Sequence, residues 1–100
     1  MSGRDEWVRL WASFPVLEYA IAPDGAPITP AVENMHLLDE WGAGPIASAS
    51  GEYAAAFVLS VWSTHQPWKC GEFNVVRAFT VWDARQRAAF TDWAIAPFRP

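Results

Sequence analysis

Apolar side chains at Trp7, Leu10, Trp11, Phe14, Leu17 and Ile21 recur three or four positions apart, the interval that lines up one face of a helix. The spacing predicts a helix as far as Phe14. Pro15 lacks a backbone donor and disfavours helical torsions at the residue before it, so the helix stops there or restarts with Pro15 in its first turn. The next stretch, "VLEYAI", suits a second helical piece or a short strand. "APDGAPITP", residues 22–30, holds three prolines and one glycine and predicts a Pro/Gly-rich connecting loop.

Beyond the loop, "TPAVE" offers Thr29 as a cap, Pro30 at a first helical position and Glu33 near the positive end of the helix dipole. A helix over 30–41 is expected, ended by "GAGP". Ser50 then caps "GEYAAAFVLSVW", whose apolar positions cover nearly the whole circumference, as suits a helix at the centre of a bundle. Residues 71–82, "GEFNVVRAFTVW", read two ways. Phe73, Val75, Phe79 and Val81 alternate as a strand would, broken by Arg77, whereas Phe73, Val76, Phe79, Thr80 and Trp82 fit a helix. Helix is preferred because "DARQ" follows, with Asp83 as cap and Gln86 three residues later. It opens a last helix over 84–96 with Ala89, Phe90 and Trp93 inward and Arg85, Gln86 and Asp92 outward. The expected architecture is all-α, a small irregular bundle of four to five short helices; its alternative is an α+β fold with a hairpin from 16–21 and 73–81.

A length of 100 residues allows a single domain over 1–100, and a 52% apolar, 15% aromatic, 18% charged composition belongs to folded chains. One cysteine excludes an internal disulfide, and no leader-like segment opens the chain, so a reducing, cytoplasmic setting is expected. The longest apolar run, "AAAFVLSVW", has about half the ~20 residues a membrane-spanning helix needs, so no membrane role is expected. The net charge of −4 is unevenly placed: residues 1–60 carry −6 and residues 61–100 carry +2. An acidic first half fits a basic protein partner. Nucleic acid is not expected, since it would require Lys69, Arg77, Arg85 and Arg87 on one face and a higher pI than 4.9.

His65 and Cys70, five positions apart, are the candidates for thiol chemistry, because an imidazole in reach holds a cysteine as thiolate. The dipole of a helix starting at "GEF" would lower the thiol pKa further. No motif places the orienting Asn or Asp such a pair needs, and single cysteines are mostly small buried residues. Glu33 and His36 have the Glu-x-x-His spacing of di-iron bundles, but only one copy is present, and His36, His65 and Cys70 lack the tight spacing of zinc fingers. Glu33, His36 and Glu40 read as a solvated face. No cofactor and no metal are implied.

Seven tryptophans are the most unusual feature. Trp11, Trp41, Trp62, Trp82 and Trp93 have apolar neighbours and are assigned to the core. Trp68 follows Pro67 in a polar stretch and Trp7 sits beside Asp5 and Glu6, so both are expected to be exposed anchors. Together with Lys69, Glu33 and Glu40 they form the candidate partner-binding set. The expected function is non-enzymatic protein binding, as an adaptor, an assembly subunit or a stoichiometric inhibitor. Phage or mobile-element inhibitors such as anti-CRISPR proteins share this size and charge. Homodimerisation through surplus aromatic residues is a further option. A thiol-dependent enzyme or redox switch using Cys70 and His65 is the alternative.

Overall fold

A computed structural model describes residues 3–63 and 66–98. Five α-helices are found among them: α1 (Gly3–Ala12), α2 (Met35–Ala43), α3 (Ala49–Trp62), α4 (Val75–Val81) and α5 (Ala84–Ile95). Two 3-10 turns, Pro15–Tyr19 and Val32–Asn34, fill the connections. The chain is mostly helical and no strand occurs among the described residues, so 16–21 and 73–81 form no hairpin.

α3 is the axis. Its alanines keep the backbone accessible, so α1, α2, α4 and the first 3-10 turn all pack against it. Ala54 to Leu59 are all buried, which fits the apolar circumference of the sequence. The approach to α2 is closest: a Cβ on Gly42 would lie 2.9 Å from Cβ of Ala55, and one on Gly51 would lie 2.6 Å from Cη2 of Trp41. Gly51 also receives the cap. Ser48, not Ser50, accepts its N–H at 3.1 Å, because α3 already begins at Ala49 and leaves Ser50 inside the first turn, where its carbonyl takes the indole N–H of Trp82 at 3.1 Å.

Rings join the C-terminal helices to this axis. Phe57 of α3 is buried, and its ring meets those of Phe14, Phe73, Phe90 and Trp93 with centroids 5.0–5.7 Å away. These tilted and edge-on contacts are the preferred aromatic geometries. Asp83 caps α5 by accepting from the N–H groups of Arg85 and Gln86, as the local motif predicts. Gln86 itself is a correction: it is buried, because its Oε1 accepts the N–H of Val16 at 3.3 Å and its Nε2 donates to Asp83. On α4 only Ala78 is buried, and Val76, placed inward by the helical reading, faces out at 73% exposure.

Pro15 does open a new helical piece, the first 3-10 turn, after α1 ends at Ala12. "PDG" then makes a tight reversal. Gly25 takes a φ of +88°, Asp24 Oδ1 accepts the N–H of Ala26, and Ile28 N–H donates to the Ala20 carbonyl. Thr29 caps no helix. Its hydroxyl and carbonyl oxygens both accept from the Asn34 amide, and α2 starts only at Met35.

Candidate functional site

α2 divides into two faces. Met35, Leu38, Asp39, Trp41 and Gly42 are buried, while His36 and Glu40 are exposed, and Glu33 is exposed in the 3-10 turn just before them. The solvated face expected of Glu33, His36 and Glu40 is therefore present. Among the described residues no three His, Cys, Asp or Glu side chains come close enough to hold a metal ion.

The 66–72 loop covers one flank of α2, and Asp39 holds it there. This carboxylate, 5% exposed, accepts the backbone N–H groups of Lys69 and Cys70, each at 3.0 Å. The Cys70 thiol donates to the same group, Sγ lying 3.1 Å from Oδ1. Gly71, at a φ of +80°, closes the turn by donating to the Trp68 carbonyl. Trp68 is half-buried, with its indole N–H on the Ser63 carbonyl at 3.0 Å and its ring 6.0 Å from that of His36. Lys69 reaches Glu40 at 3.4 Å. Both side chains are more than half exposed, so solvent screens the pair and it adds little stability.

Cys70 departs from the thiol expectation. Burial is the largest effect and pushes its pKa well above the ordinary thiol range, and the Asp39 carboxylate adds to it by accepting the S–H and repelling a thiolate. The anticipated helix dipole is not available to lower it, since α4 begins five residues later at Val75. His65 lies outside the described residues.

Trp7 is the main correction to the partner-binding set. It is 0% exposed, with its indole N–H on the Val58 carbonyl at 2.8 Å and its ring edge-on to Trp62 and Trp11. Asp5 and Glu6, its polar neighbours in sequence, sit on other sides of α1 and say nothing about the face Trp7 occupies. Of the remaining tryptophans, Trp11, Trp41 and Trp82 are buried and Trp62 and Trp93 half-buried.

An apolar groove of about 330 Å³ lies on the other flank of α2, lined by Ile21, Leu37, Trp41 and Ile46 with Glu40 in its wall. Ile46 is 72% exposed there, and neighbouring Tyr19 is 77% exposed. A second groove, about 310 Å³, is lined by Trp11, Leu17, Glu18, Pro27 and Ile28. The 20–28 reversal contributes residues to both. The indole N–H groups of Trp41 and Trp11 are buried without an acceptor. A hollow of about 510 Å³ beside Trp68 is lined by Ser60, Ser63, Glu72 and Phe73.

Charge sorts the same way. From Leu10 to Trp68 the chain has six acids and no lysine or arginine, so both grooves are built entirely from a base-free stretch. Among the cations beyond it, Lys69 pairs with Glu40 and Arg87 lies over the Phe79 ring. No described helix is long and apolar enough to cross a membrane.

The structure thus brings Trp68, Lys69 and Glu40 together, places Glu33 just before α2, and removes Trp7 to the core. The sequence reading missed Asp39, Ile21 and Ile46. A signal for Asp39 existed: it stands one turn from Met35 and Gly42, an acid on the apolar side of its helix. No family model, curated protein or solved structure matches the chain.

Proposed function

We propose that the chain is a non-enzymatic binding protein that engages a basic protein partner through the exposed side of α2 and its two flanks. An adaptor, an assembly subunit and a stoichiometric inhibitor, of the sort mobile elements encode, would all work this way. The position of Glu40 carries the reading: it pairs with Lys69 beside Trp68 and also forms the wall of the Ile21–Trp41–Ile46 groove. An aromatic ring, an acidic ridge and an apolar hollow are therefore contiguous, a combination suited to an interface with buried anchors and a charged rim. The rival, thiol catalysis on Cys70, is disfavoured by Asp39, which keeps the sulfur protonated and occupied.

Affinity capture from a lysate of the encoding organism tests this, using wild type, Trp68→Ala and Glu40→Lys as baits. Glu40 is exposed, whereas Trp68 is half-buried and bonded to Ser63, so circular dichroism of each bait first establishes that it is folded. One stoichiometric basic protein, retained by wild type and reduced about tenfold by Glu40→Lys, is expected. Equal capture by all three baits, or capture of nothing, would reject this surface as the working one.

A further inference from the structure

The two apolar grooves have several features in common. Each belongs to the base-free stretch, each has one acid in its wall, Glu40 in the first and Glu18 in the second, and each includes a tryptophan more than nine-tenths buried. Those two tryptophans, Trp41 and Trp11, are the ones whose indole N–H groups lack an acceptor. The other hollow near α2, beside Trp68, has no such donor, since the Trp68 N–H is already taken by Ser63. The 20–28 reversal lies between the grooves, stiffened by its own hydrogen bonds and by Asp24.

Resting on the protein-binding reading above, we propose that the two grooves form one bipartite docking site for an extended cationic peptide segment. Such a segment places a bulky apolar side chain in each groove, against Trp41 in one and Trp11 in the other, and Lys or Arg residues near Glu40 and Glu18. Charge decides the occupant. The lining of each groove holds one carboxylate, Glu40 or Glu18, and no lysine or arginine, so a basic segment finds a complementary charge in each wall where an acidic peptide or a phosphate backbone finds a like one.

Selection of a random peptide library on the intact protein, followed by titration of the best synthetic peptide, tests this directly. The selected peptides should carry net positive charge and two bulky apolar residues. Nitrogen-proton NMR of the indoles should show the Trp41 and Trp11 signals moving most. The double variant Glu18→Lys/Glu40→Lys and the single variant Ile46→Asp alter exposed side chains only, and each should weaken binding about tenfold or more. Selection of neutral or acidic peptides, or of none, would overturn the proposal. Movement of Trp68 with Trp41 and Trp11 unmoved would overturn it too, while leaving the α2 surface standing as a binding face. Sedimentation of the protein alone covers the remaining occupant: a dimer that shifts the Trp41 and Trp11 signals would assign the grooves to a second copy and reject the peptide.

Discussion

Asp39 is a single carboxylate answering two backbone donors and a thiol, across 30 and 31 positions of sequence. Truncation to alanine removes all three bonds at once, and the cost of stranded donors sets the expected loss at about 2–3 kcal/mol in urea denaturation. Cys70 gives a second readout. In wild type it should react with iodoacetamide about tenfold or more slowly than an unhindered thiol near neutral pH, and Asp39→Ala should accelerate it. Its raised pKa also has a consequence for stability. Above the ordinary thiol value of 9.0 the unfolded chain has lost a proton that the folded chain keeps. Stability therefore falls as pH rises past that point, by at most about 1.4 kcal/mol per pH unit. Melting temperatures measured across this alkaline range should decline more steeply for wild type than for Cys70→Ser; parallel declines would show that the thiol is not the group responsible.

Elements were legible where their signals are local. α5 begins where Asp83 and Gln86 place it, because a cap and its partner lie within one turn, and α3 is central because its alanines and large apolar residues surround it. Elements went astray where a distant partner decides. Ser48 and Ser50 both read as caps, and only the packing of α3 sets its start at Ala49, while Gln86 looks solvent-facing until Val16 supplies a donor. The site divides likewise: Trp68, Lys69 and Glu40 announce themselves by polar surroundings, whereas Asp39 acquires its role only when the 66–72 loop folds onto α2. The α2–α3 contact makes a matching prediction. Alanine at Gly42 gains about 1 kcal/mol of helix propensity but collides with Ala55, so a net loss of about 1–3 kcal/mol is expected. Ala55→Gly should recover part of that loss, and a double-mutant cycle on thermal unfolding would measure the coupling; purely additive effects would refute the contact.

At the scale of the whole molecule, the separation of charge is the property most relevant to association. Residues 10–68 carry six negative charges against no lysine or arginine, and the cations lie before and after them. Encounter with a basic partner should be steered by this field, so the association rate is expected to fall by about tenfold or more between low and physiological salt while dissociation changes less. Stopped-flow binding at several salt concentrations would measure it, and a rate indifferent to salt would count against a basic partner. The same distribution has a use in proteolysis. Trypsin cuts after lysine and arginine, and the bonds after Arg9 and Lys69 bracket the entire stretch without another site between them. The bond after Lys69 is held in the turn that Asp39 fastens to α2, so its cleavage has to wait for that turn to open. The bond after Arg9 lies inside α1, so it is the rate of cleavage at Lys69 itself that is a clock for the loosening of this one loop, and anything that seats against α2 and steadies the loop should slow the clock without label or mutation.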